Sequence, residues 1–166
     1  MVKVWRGILR RCYGKHTRKT NLTYFGCTVC NEWLHFSNFK KWFDENYIEG
    51  YEIDKDILVK GNKVYSPDKC RFVPRFINTL LLNRRNDRGD SPIGSTFLDG
   101  RYHVSINKYG KHYRLGSFDT PNEAFALYKS EKEKYIREVA ESYFAQGKID
   151  KDIYESLLHY NVNYND

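Results

Sequence analysis

Apolar side chains recur at helical spacing in the first part of the chain. In VWRGILRRCY, Val4, Ile8 and Cys12 fall at i, i+4 and i+8, with Trp5 and Leu9 beside them and the arginines opposite. A polar stretch, GKHTRKTNLTYFG, separates this helix from a second one. There, in NEWLHFSNFKKWFDENY, Trp33, Phe36, Phe39, Trp42 and Phe43 form a stripe that reads as core. The pattern then shortens. EIDKDILV and KVYSP are β-prone runs on either side of KGN, a turn signal, and PRFINTLLLNRR is a short helix. NRRNDRGDSP is polar and charged, and reads as a linker.

The periodicity changes to two beyond this point. RYHVSIN sends Tyr102, Val104 and Ile106 to one face and Arg101, His103, Ser105 and Asn107 to the other. KYG turns the chain into a second strand, KHYRLGSF, and a shorter strand around STFL precedes both. A long helix follows, with Thr120 as N-cap, Pro121 at its first position and Glu123 completing a capping box. Its stripe of Phe125, Tyr128, Tyr135, Ile136, Val139 and Tyr143 can cover the apolar face of the sheet, which would not be stable alone.

One pentapeptide, IDKDI, occurs at both Ile53–Ile57 and Ile149–Ile153. The second copy opens a short helix, DKDIYESLLHY. Asp150 and Asp152 are there first-turn acids, and Ile153, Leu157 and Tyr160 form a packing stripe. The first copy sits in the β-prone region, where two carboxylates on one face of a strand can hold a cation.

Composition sharpens the picture. The 166 residues include 14 Tyr, 10 Phe and 3 Trp, which excludes a disordered chain. No apolar run approaches the roughly 18 residues of a membrane helix, and the N-terminus lacks the apolar core of a signal peptide. A cytoplasmic protein is expected. The net charge of +7 is uneven: residues 1–90 carry 18 Lys and Arg against 10 Asp and Glu, residues 91–166 carry 10 against 11. A concentrated basic region is the footprint of a polyanion binder. Cys27 and Cys30 are spaced as half of a zinc site that Cys12 and Cys70 would complete; the alternative is four small core residues.

The second segment resembles an AP2/ERF-type DNA-binding domain. Gly110–Lys111, Leu115, Gly116, Phe118, Thr120, Glu123, Ala124, Ala126 and Tyr128 carry the likeness. It implies that the exposed sheet face enters the major groove of double-stranded DNA. The reading face would hold Arg101, His103, Ser105 and Asn107, with Lys108, Lys111 and Arg114 nearby. Unaided, the alternation also gives a polar face able to bond bases or phosphates.

The first segment resembles the nuclease half of phage-encoded HNH endonucleases of the homing type, on WRGILRRCY, YFGCTVCNEWLHFSNFKKW and IDKDILVKGNKVYSPDKCRFVPRFIN. The fold implied is α+β: an HNH-like ββα-metal domain with flanking helices over 1–86, a linker over 87–92, and an AP2-like small antiparallel sheet packed on a long helix, with a C-terminal helix, over 93–166. The activity implied is metal-dependent cleavage or nicking of DNA by a monomer in the host-cell cytoplasm. The implied metal ligands are Asp54, Asp56 and Asn78, oxygen donors suited to Mg2+ or Mn2+. Lys55 stands where the family carries the His that deprotonates water, and no His lies between His35 and His103. Lys60, Lys63, Lys69, Arg71, Arg75, Arg84 and Arg85 surround the site, and Arg10 and Arg11 extend the DNA-binding set. Two other readings stay open. One is a catalytically inactive DNA-binding protein, a regulator or blocking factor. The other is a protein-binding inhibitor of a host enzyme.

Overall fold

The computed structural model describes residues 1–15, 22–82 and 91–166, and the protein is mixed α+β. It forms two compact units, Met1–Asn78 and Thr79–Asp166. Residues 83–90, which include Arg84, Arg85 and most of the linker expected at 87–92, lie outside the described residues, as do Arg18 and Lys19.

Unit 1 starts with α1 (Val2–Tyr13), which buries Ile8 and Cys12. A 3-10 turn (Asn31–Leu34) leads into α2 (Phe36–Asn46). The aromatic stripe is core, as its period implies. Trp33 and Phe39 meet edge to face with centroids 5.0 Å apart, and Trp42 stacks on Phe72 at 5.4 Å. Ile8, Cys12, Cys27, Val29, Tyr65 and Cys70 belong to the same cluster. Trp5 closes its rim by donating its indole N–H to the Trp33 carbonyl at 2.7 Å.

Strand β2 (Tyr51–Asp54) does not pair with the β-prone run beyond the KGN turn. It pairs antiparallel with β4 (Arg71–Pro74), with Asp54 opposite Arg71. β3 (Val64–Tyr65) pairs instead, in parallel, with β1 (Thr28–Val29). The reason is local: Asp54 Oδ1 accepts from the backbone N–H groups of Asp56 and Ile57 at 2.7 and 3.0 Å. Those donors are thereby lost to a ladder, and the strand ends. β4 runs directly into α3 (Arg75–Leu80), completing a strand–strand–helix unit.

Unit 2 is a three-stranded antiparallel sheet, β5 (Ser95–Leu98), β6 (Arg101–Lys108) and β7 (Lys111–Phe118), in the order β5-β6-β7. Two-residue turns join the strands, and Asp99–Gly100 and Tyr109–Gly110 all have positive φ, as the tight hairpin turns matching strand twist require. α4 (Pro121–Ala145) packs on the sheet. The Thr120 hydroxyl oxygen accepts from the Glu123 backbone N–H at 3.3 Å, and the hydroxyl donates to the Glu123 carboxylate at 2.6 Å. Tyr128, Tyr135, Ile136 and Val139 are buried, while Phe125 and Tyr143 are only partly so. Gly94 allows the approach of Tyr128: a Cβ there would lie 1.9 Å from the ring, and its φ is +78°. α5 (Lys151–Leu158) starts from Asp150, whose side chain accepts from the Ile153 N–H at 2.8 Å.

Candidate functional site: a strand–strand–helix carboxylate group and a polar sheet face

Asp54 ends β2 as a partly buried carboxylate, and its neighbour Asp56 hydrogen-bonds to it. Burial first, and the like charge of Asp56 second, push its pKa up to about 6. Two carboxylates held against each other favour a shared proton or a cation. The period-two alignment expected for them does not hold, because β2 stops at Asp54 and Asp56 lies in the bend beyond. Asp56 instead turns its Oδ2 to Lys55 Nζ, 2.7 Å away.

Lys55 is not placed to act as a base. It is 4% exposed, ion-paired to Asp56, and its Nζ lies 6.0 Å from the centroid of the Tyr65 ring. Burial of a lysine requires such a partner; the amine neutralises part of the carboxylate pair from the core side.

Asn78 lies on α3 and donates its Nδ2 to Glu52 Oε2 at 2.7 Å. Glu52 is two residues before Asp54, so strand alternation puts both on one face of β2. Arg75 Nε lies 3.7 Å from the other Glu52 oxygen. Glu52 was missed in the sequence, although the spacing E-x-D within a strand was its signal. Arg71, opposite Asp54, donates to the Cys70 carbonyl at 3.0 Å.

The donor set fits a hard divalent cation, because it consists of oxygens from Asp54, Asp56 and Asn78. No group of three or more His, Cys, Asp or Glu side chains placed to hold a metal occurs among the described residues. A cation held here would therefore need the Asn78 carboxamide in addition to the two carboxylates. The cysteines are free thiols: Cys12, Cys27 and Cys70 are buried in the unit 1 core, and Cys30 is half-buried at its edge. Burial pushes the Cys70 thiol up to about 12.

In unit 2 the outer sheet face carries Arg101, His103, Ser105 and Asn107 from β6 in alternation. A bulge in the β6–β7 pairing puts Arg114 opposite Ser105, while Ser117 stays opposite His103. Arg101 is held by Asp119 at 2.9 Å and donates to the Ser117 carbonyl at 3.1 Å. His103 Nδ1 and the Ser117 hydroxyl are 2.8 Å apart, and His112 meets Asn107 at 3.1 Å. Arg114 and Lys111 are exposed and have no ion pair among the described residues. Lys108 departs from the expected set. It falls on the inner register with Val104 and Ile106, where it pairs with Glu131 of α4 at 3.0 Å and lies over the Tyr135 ring.

The basic residues of α1 also divide. Lys3, Arg6 and Arg10 are exposed at i, i+3 and i+7, with no ion pair among the described residues. Arg11 turns inward and lies 5.6 Å from the centroids of both Tyr24 and Tyr65. Its guanidinium is thus part of the unit 1 packing, not of the exposed stripe. No helix among the described residues is long and apolar enough to cross a membrane. The chain matches no family model, no curated protein and no solved structure.

Proposed function

We propose that the protein is a metal-dependent DNA endonuclease or nickase of the HNH type. In this reading unit 1 carries out cleavage, and the outer sheet face of unit 2 contacts double-stranded DNA as an AP2-like module. The observation that carries it is the β2–β4–α3 arrangement, which has Asp54 at a strand end and Asn78 on the following helix. Asp54, Asp56 and Asn78 would hold Mg2+ or Mn2+, and a bound cation supplies charge neutralisation for the phosphodiester and acidifies water. The chain's own residues do the rest. Asp54 keeps one oxygen on the backbone N–H groups of Asp56 and Ile57, which fixes its rotamer. Lys55 balances Asp56 from within. Arg75, 82% exposed and beside Glu52, would add positive charge near a bound phosphate. DNA affinity rests on Arg114 and Lys111 of the sheet and on the α1 stripe of Lys3, Arg6 and Arg10, because exposed cations not already paired attract phosphates most strongly.

A second reading is supported by the burial of Lys55 where the family carries its base: a DNA-binding protein without cleavage. Supercoiled plasmid incubated with the protein and Mg2+ or Mn2+ separates the two. Nicked or linear product, lost in Asp54→Ala, supports the nuclease. Gel-shifted but intact plasmid with either metal rejects it and leaves the DNA-binding reading.

A further inference from the structure

We infer that Glu52 is a positioning residue, one that fixes the amide of Asn78 so that its carbonyl oxygen is the end available to a cation. The inference rests on the metal-site reading above and adds a residue to it. An asparagine amide has a donor-only end and an acceptor-only end, and a half-turn about its last bond exchanges them. A carboxylate can bond only the donor end. Asn78 Nδ2 lies 2.7 Å from Glu52 Oε2, so Oδ1 faces away from Glu52. Glu52 is itself steadied by Arg75, whose Nε lies 3.7 Å from Oε1. The placement follows from the chain path: β4 pairs with β2, Pro74 opposite Tyr51, and continues into α3, so Arg75 and Asn78 of that helix reach Glu52 of β2. A side chain that holds a ligand's far end improves affinity without touching the metal, typically by a factor of about 10 to 100.

A direct ligand, a long-range charge effect and a positioning role predict different couplings, and a double-mutant cycle on metal affinity separates them. Mn2+ binding to metal-free, full-length protein is measured by titration calorimetry, without DNA. Glu52→Ala and Asn78→Ala are each expected to weaken binding roughly tenfold or more. The double variant should bind no more weakly than Asn78→Ala alone, because Glu52 acts through Asn78. Glu52→Gln, which can still offer an oxygen to the Asn78 N–H, should retain most of the affinity and guards against a folding defect in Glu52→Ala. Losses that multiply in the double variant would make Glu52 a ligand or a charge effect, and would overturn the inference. So would unchanged affinity in Glu52→Ala when Asp54→Ala has none. Failure of the unaltered protein to bind Mn2+ removes the metal-site reading itself, and the inference with it.

Discussion

Ile53–Ile57 and Ile149–Ile153 are the same five residues in two environments, and the difference lies in what surrounds them. In both copies the first aspartate accepts backbone N–H groups just ahead of it: Asp54 from Asp56 and Ile57, Asp150 from Ile153. The last isoleucine is buried in both, at 5% and 2% exposure for Ile57 and Ile153. Local chemistry is therefore shared. The second copy then continues as α5 on the surface, where Lys151 reaches Glu155 one turn on at 3.5 Å and both aspartates are exposed. The first copy ends a strand against the unit 1 core. Its lysine is drawn inside and Asp54 is partly buried beside Asp56. Sequence sets the cap; tertiary burial, with the neighbouring Asp56 charge, perturbs the carboxylate of Asp54 in one copy only.

The largest difference expected between the copies is catalytic. Asp54→Ala should lower plasmid nicking by roughly a hundredfold or more, since a ligand matters at least as much as its supporting shell. Asp150→Ala should leave nicking unchanged. Equal nicking by both variants would erase the functional distinction between the copies.

The second difference concerns stability and falls on the lysines. Lys55→Ala removes the buried partner of Asp56 and leaves two carboxylates facing each other over a void. Breaking a buried pair costs about 3–5 kcal/mol; Asp56 is 43% exposed on its side chain, so the cost here should be nearer 2 kcal/mol. Lys151→Ala should stay within about 0.5 kcal/mol. The measurement is helped by the tryptophans. All three, Trp5, Trp33 and Trp42, belong to unit 1, so denaturant unfolding followed by their fluorescence reports on the unit that holds Lys55. A loss under 0.5 kcal/mol for Lys55→Ala would contradict its structural role.

These contrasts define how much of the molecule was legible in the sequence. The long helix was readable because Thr120, Pro121 and Glu123 mark its start, and the β6–β7 pair because strict alternation meets a Tyr-Gly turn. The second IDKDI was readable as a helix start, although Asp150, expected in the first turn, is instead the N-cap, a role that uses only local bonds. The first was not, for the same physical cause seen from the other side. The side chain of Asp54 competes with the ladder for the N–H groups of Asp56 and Ile57, and nothing in a β-prone run signals which competitor wins. The two-residue parallel pair Thr28–Val29 with Val64–Tyr65 is too short to carry a period. Lys108 follows the alternation faithfully, onto the inner face with Glu131 and Tyr135, whereas the resemblance set it near the reading face. Arg11 likewise could not be separated from Arg10 until the tyrosines packed around it.

A third difference is in pH dependence. Asp54 has a folded-state pKa of about 6 against an ordinary 3.8. Between those values the folded state binds more protons than the unfolded state. Its contribution to stability is therefore fully present below about pH 3.8 and is lost as pH rises through about 6, by on the order of 2–3 kcal/mol in total. Asp54→Asn keeps an oxygen for the two backbone N–H groups but cannot titrate. Tryptophan-monitored stability of that variant should lack the fall between pH 4 and 6.5, and should exceed the unaltered protein's at pH 7. Mn2+ should restore stability more at pH 7 than at pH 5, since it competes with the proton for the same carboxylates. A pH profile identical in protein and variant would mean that Asp54 is not the perturbed group.

The smallest effect isolates the cap that the copies share. Asp150→Ala removes the acceptor for the Ile153 N–H at the start of α5, a loss of about 1 kcal/mol for an N-cap. The cost should appear in unit 2, which contains no tryptophan, and hence in amide exchange of α5 rather than in indole fluorescence. Asp150→Asn, still an oxygen acceptor, should recover most of it. Asp54→Asn provides the matched test in unit 1, for it too retains the cap. If both Asn variants hold their turns while only Asp54→Asn loses nicking, capping and catalysis are separable functions of one pentapeptide. If Asp150→Asn also lowers nicking, the second copy is coupled to cleavage, and burial alone no longer explains why the copies differ.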